Sequence, residues 1–298
     1  WAYETLNFGG YWNWDPVENS SLVPWICGVA ALHGLLIYQR SKGYLRMSMV
    51  LIISTFLLVL YSTFLTRSGI LGDTSVHTFT DLGLSGQLMV LVFVYVAAVV
   101  VLMALRWREI PQRKEEFQVW TPEFFLFLGV LTFLFAGAEI ILTTSLPVAN
   151  KLLGTKVAPP PQIQLFYYQW NVWFALAFGI LSGIGQFLWW RKGSRKELGD
   201  ALYRPFLIAI VAGSLTLIAT MVLDVHFVYD KTFRELIDPA RISGNFLSQG
   251  LAYLHYGVMT IADELLLFAS LFGIAANLDI LVSLMRKNRK GLKVMGGT

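Results

Sequence analysis

The sequence predicts an all-α protein: a polytopic transmembrane bundle of about seven spans, with an external tryptophan-rich segment at its start. Three observations carry this. Hydrophobic residues make up 56% of the 298 and charged residues only 14%, whereas about a quarter of a soluble domain is charged. Mean hydropathy is +0.59, and the apolar residues arrive in runs of roughly 18 to 25, enough to cross a bilayer. The 23 Lys and Arg are strung between those runs instead of gathering on one face. A net charge of +4 therefore points to a membrane protein and not to a nucleic-acid partner.

The apolar windows fall at about 22–39, 47–66, 87–105, 120–145, 169–190, 205–223 and 252–285. The last is long for a single crossing. Segments 40–46, 106–119, 191–204 and 286–293 hold 17 of the 23 Lys and Arg; segments 1–21, 67–86, 146–168 and 224–250 hold the other 6. Positive charge accumulates on the cytoplasmic side, so the opening segment and the loops near 67–86, 146–168 and 224–250 are expected outside. The expected division is an external segment at 1–25 that leads into the first span, then a transmembrane helical domain at 26–298. VAPPPQIQ at 157–164 breaks any helix in its loop. The one cysteine, Cys27, lies inside an apolar run and allows neither an internal disulfide nor a cysteine-based metal site. Both ends read as cut, which suggests an internal piece of a longer chain.

The opening stretch, WAYETLNFGGYWNWDPVENSSLVPW, holds four of the ten Trp, a Gly pair, three acids and no Lys or Arg. Trp14-Asp15-Pro16-Val17-Glu18 predicts a helix start, with Asp15 at N-cap, Pro16 at N1 and Glu18 completing a capping box. A kink is expected at Pro24. An interfacial aromatic belt is the plain explanation for such tryptophans. A belt would recur at other outer ends, yet 67–86 has no Trp or Tyr. A platform for a large, flat, apolar ligand explains the interleaved glycines and acids better.

WAYETLNFGGYWNWDPVENSSLVPWICGVAALHG closely resembles the tryptophan-rich WWD domain of the haem-handling proteins of cytochrome c biogenesis (the CcmF/CcmC/CcsA-like superfamily). Within it the chain is most similar to the CcmF-type haem-lyase subunit of System I cytochrome c maturation. FLTRSGILGDTSVHTF at 64–79 and, more weakly, ILTTSLPVANKLLGTKVAPPP at 141–161 resemble that family's outer loops. Tyr11 stands where a Trp is common, and Asn7-Phe8 where Gly-Trp is common.

The resemblance implies a multi-pass protein of the bacterial inner membrane with the WWD segment facing the periplasm. It implies a haem platform at Trp1, Gly9, Gly10, Trp12, Trp14, Asp15, Glu18 and Trp25. The family's two outer haem-ligating histidines fall on His33 and His77 by motif match, and Arg67 is a candidate propionate contact. Read alone, His33 is a costly ionisable residue in an apolar run, and His77 a loop histidine. At about 1.5 Å per residue, His33 lies roughly 27 Å beyond Asp15 along a straight helix. Residues 16–24 lying flat before the Pro24 kink would relieve that depth. The family's resident haem b has its two ligands, by the same resemblance, outside this segment; His226 and His255 match neither and read as structural. Glu139 and the Asp263-Glu264 pair sit in apolar runs, where carboxylates are expensive.

The function implied is haem binding and presentation for thioether attachment to apocytochrome c. Its partners would be a periplasmic haem chaperone, an apocytochrome with a Cys-X-X-Cys-His motif and other maturation subunits. Catalytic residues are not identifiable, because the reactive groups belong to haem and to the partner's thiols. A compact exporter that loads the haem chaperone is the alternative, and it is disfavoured by seven spans with long outer loops. A proton-coupled transporter that uses Glu139 and Asp263 ranks lower.

Overall fold

The computed structural model describes residues 12–72, 74, 75, 77, 83–111, 119–190, 195–223 and 246–295. Trp1, Gly9, Gly10 and His226 lie outside the described residues. Among these, regular structure is entirely helical: α1 (Pro16–Ser41), α2 (Leu45–Arg67), α3 (Ser85–Arg106), α4 (Pro122–Thr144), α5 (Leu146–Leu153), α6 (Ile163–Trp190), α7 (Arg195–Val222) and α8 (Phe246–Met295). All but α5 are long and apolar enough to cross a membrane, which gives seven candidate spans. Most helices outrun their apolar windows because caps and polar turns extend them past the hydrocarbon. At 50 residues, α8 rises about 75 Å, against roughly 30 Å of hydrocarbon, so the basic run at 286–293 continues the same helix.

The chain forms two compact units, residues 1–119 with 126–170, and residues 120–125 with 171–298. Residue 25, where the external segment was expected to lead into the first span, falls inside α1, which runs unbroken from Pro16 to Ser41.

In the first unit, α1 and α2 pack antiparallel through small residues. Ser20 Oγ lies 3.1 Å from Ser62 Oγ, Gly28 faces Thr55 and Gly34 faces Ser48. Membrane helices associate through such close backbone approach, since lipid offers no hydrophobic drive. Along another side of α1 runs α4. Ile26 meets Gly137, Cys27 and Ala30 pack with Val130, and His33 meets Gly129 and Phe133. These contacts run from Ser20 to Gly34, on both sides of Pro24, within an unbroken helix. The expectation that residues 16–24 lie flat on the membrane is therefore overturned: α1 belongs to the bundle from its first turns. Against α2, the Phe64–Leu65–Leu71 cluster takes Leu88, Met89 and Val92 of α3. No residue of α3 is buried, which suits a helix bathed in lipid or covered by further helices.

In the second unit, glycines again admit close neighbours. Gly179 meets Ala269, while the Phe272 and Phe268 rings lie over Gly183 and Gly213. Phe187, Ala276 and Ile280 form a buried cluster nearer the end of α6, and Arg204 Nη1 reaches Asp279 Oδ1 at 3.7 Å.

A Cβ at Gly34 would stand 2.9 Å from Ser48 Oγ, so Gly34→Leu is expected to wedge α1 from α2. Denaturation in detergent should show a loss of about 1–3 kcal/mol, partly recovered by adding Ser48→Gly.

Candidate functional site

The site grows from the orphan backbone N–H groups at the start of α1. Asp15 Oδ1 accepts the Val17 N–H at 2.8 Å, as an N-cap must. Glu18 Oε2 accepts two backbone N–H groups in return, from Asp15 at 3.3 Å and Asn13 at 2.9 Å. The same Asp15 Oδ1 accepts the Ser75 hydroxyl at 2.6 Å and lies 3.5 Å from His77 Nδ1. Ser75 Oγ accepts the His77 backbone N–H at 3.1 Å. One carboxylate thus fixes both a helix start and a histidine 62 residues away in sequence. With Nδ1 turned to the carboxylate, the His77 Nε2 is the nitrogen left for a ligand.

The tryptophans are placed by the same turn. Trp14 adopts φ 56°, a left-handed conformation that is uncommon for a bulky residue and costs of order 1–3 kcal/mol. Its carbonyl accepts from Asn19 Nδ2 at 3.0 Å, and that amide also donates to Tyr167 OH at 3.1 Å. The Trp14 and Tyr167 rings stack at 4.5 Å and 16°, and Trp12 meets Trp14 edge-on at 6.0 Å. Asn19 is fully buried beneath the turn. Trp25 sits ten residues, about 15 Å, further along α1, and its side chain is 62% exposed. It stands apart from the shelf it was expected to join.

His33 occupies a different depth. Its Nδ1 lies 2.9 Å from the Val29 carbonyl. A carbonyl only accepts, so Nδ1 carries the proton and Nε2 presents the lone pair. The ring packs on Phe133 at 5.4 Å beside Gly129, where a Cβ would come within 3.9 Å of Nε2. Since α1 is continuous from Pro16, His33 lies about 27 Å along it from Asp15, and His77 stays at Asp15. The structure does not bring these two histidines together. Two axial ligands of one iron stand only a few ångströms apart, a spacing that this arrangement of His33 and His77 does not offer.

The family model described as cytochrome C assembly protein matches residues 1–71. The chain is 31% identical over 219 residues to the cytochrome c-type biogenesis protein CcmF of Escherichia coli (strain K12), covering 72% of this chain and 33% of the relative. It is 32% identical to CcmF of Haemophilus influenzae, covering 72% and 32%. To CycK of Rhizobium meliloti it is 30% identical, covering 72% and 31%. The chain belongs to the CcmF-type family of cytochrome c biogenesis proteins. It spans about a third of the length of the curated relatives it matches. No solved structure matches it.

In this CcmF-type chain the other singled-out residues scatter. Arg67 is the exposed last residue of α2, just before the turn that leads to Ser75 and His77. Glu139 is on α4 in the first unit; buried Asp263, Glu264 and exposed His255 are on α8 in the second. No group of three His, Cys, Asp or Glu suited to a metal ion occurs among the described residues. Asn19, Tyr167 and the anchoring role of Ser75 escape a reading of the sequence. Tyr167 is 148 residues from Asn19, and nothing local in FYYQW marks it as a stacking partner.

Asp15→Ala removes the cap and the loop anchor together. It is expected to cost about 1–2 kcal/mol of stability and to speed amide hydrogen exchange at Ser75 and His77; Asp15→Asn, which still caps, should lose less stability.

Proposed function

We propose that this part of the protein holds haem at the outer end of α1 and presents it for thioether attachment to an apocytochrome c. The observation that carries the reading is the double contact of Asp15, which ties the tryptophan turn and the His77 loop into one unit. The residues fit such a ligand: an imidazole with its Nδ1 turned away, and a Trp12–Trp14–Tyr167 cluster beside it for a flat apolar ring. The expected platform at Trp1, Gly9 and Gly10 completes the shelf in this reading, and Arg67 remains a candidate for a propionate. The split of Lys and Arg between the two sets of loops supports a periplasmic position for the site.

The chemistry that haem supplies is addition of the partner's cysteine thiols across its vinyl groups. The chain itself binds, orients and shields, so its contribution is positional. A haem chaperone as donor and a Cys-X-X-Cys-His apocytochrome as acceptor follow from this reading, as does assembly with other maturation subunits.

His33 suits a second role. Its Nε2 lone pair, held by the Val29 contact at mid-span depth, favours a separate haem within the bundle. This differs from the sequence-based expectation that the resident haem's ligands lie elsewhere in the protein.

In the complete protein, His77→Ala should abolish holocytochrome c formation while a haem held through His33 keeps its absorption bands. His33→Ala should remove those bands. Normal holocytochrome c yield in His77→Ala would overturn the outer-ligand role.

A further inference from the structure

Behind the Trp14–Tyr167 stack lies a cavity of about 520 Å³, within the range of small-molecule sites. It adjoins the His77 anchor on two sides, because its lining includes Trp14, next to Asp15, and Thr74, next to Ser75. One wall is aromatic and apolar. The other carries Asn19, Thr144, Asn150 and Lys151. Among the described residues Lys151 is its one cation, and none of its lining side chains is a carboxylate. Lys151 forms no ion pair among the described residues.

The rim beside Lys151 is built. Asn150 donates to the Val157 carbonyl at 2.8 Å and accepts from the Thr155 hydroxyl at 2.8 Å and the Val157 N–H at 3.0 Å. Gly154 ends α5 at φ 66°, a turn that suits glycine. Together these fold the segment after α5 back over Asn150 and fix the backbone that bears Lys151. Elsewhere in the lining, buried Asn19 Oδ1 has no hydrogen-bond partner among the described residues. A buried acceptor of this kind is completed by a donor such as water, and the carboxylate is left to Lys151.

A flat apolar wall with a single cation and no acid among its described lining residues suits an amphipathic ligand with a carboxylate edge. We propose that this cavity seats the propionate-bearing edge of the porphyrin whose iron His77 holds, with Lys151 as the carboxylate's counter-ion. The inference rests on the outer-haem reading and deepens it. It moves the propionate contact from Arg67, which does not line the cavity, to a cation that does. A charge-assisted hydrogen bond of this type contributes on the order of a tenfold gain in affinity or more.

The test compares ferric haem with its dimethyl ester, which keeps the macrocycle and iron but has no free carboxylates. Both are titrated by equilibrium binding into the complete protein in detergent. Wild type should bind the free acid about tenfold more tightly than the ester. Lys151→Gln should erase that preference by weakening haem alone, and Lys151→Arg should keep it. Equal wild-type affinity for acid and ester, or equal weakening of both ligands by Lys151→Gln, would overturn the proposal. The outer-haem reading fails differently: His77→Ala would then leave the ligand-field bands of bound ferric haem unchanged, whatever Lys151 does.

Discussion

The carboxylate of Asp15 is the contact on which the site depends. A helix that starts at a membrane surface leaves backbone N–H groups that something must accept. Here the side chain that accepts one of them also takes the Ser75 hydroxyl and faces His77. A serine or asparagine would satisfy the helix equally well. Only an acid adds a negative charge beside the imidazole, and this makes the cap part of the ligand site. The strained backbone of Trp14 is held by the same turn, through Glu18 and Asn19. Strain of this kind persists only where its surroundings over-determine it.

Helix geometry then separates what sequence spacing joined. Because α1 is packed along α2 and α4 from Ser20 to Gly34, its axial rise is not negotiable, and His33 and His77 sit at different depths. His33 Nδ1 donates to a backbone carbonyl, while His77 Nδ1 lies 3.5 Å from a carboxylate. The function proposed above therefore treats them as two sites, one within α1 and one at its start, and not as two ligands on one iron. The chain belongs to a cytochrome c biogenesis family, and the proposal gives each site a use there.

Much of this was legible in the residues. The spans were readable because membrane helices announce themselves by length and hydropathy, and the capping box because its pattern is local. The short helix α5 was hidden inside a proline-rich loop. Tyr167, Asn19 and Lys151 were not legible as site residues, because stacking, burial and cavity lining arise from packing between distant segments. Trp25 misled for the opposite reason: it is near the motif in sequence, but a helix carries it about 15 Å away. The flat segment before Pro24 failed because a proline in a helix need not end it when small residues on both sides can pack.

The proposed function places the outer haem iron at the Asp15 end of α1, far from the His33 level. It is tested most directly by a pulsed EPR distance. A spin label on Leu32→Cys, an exposed position about 26 Å along α1 from Asp15, would be measured against ferric iron loaded in the outer site. Loading the outer site should add a separation of roughly 20–30 Å to any short distance from a haem at His33, and His77→Ala should remove it. Loading that adds only a distance near 10 Å would contradict the placement.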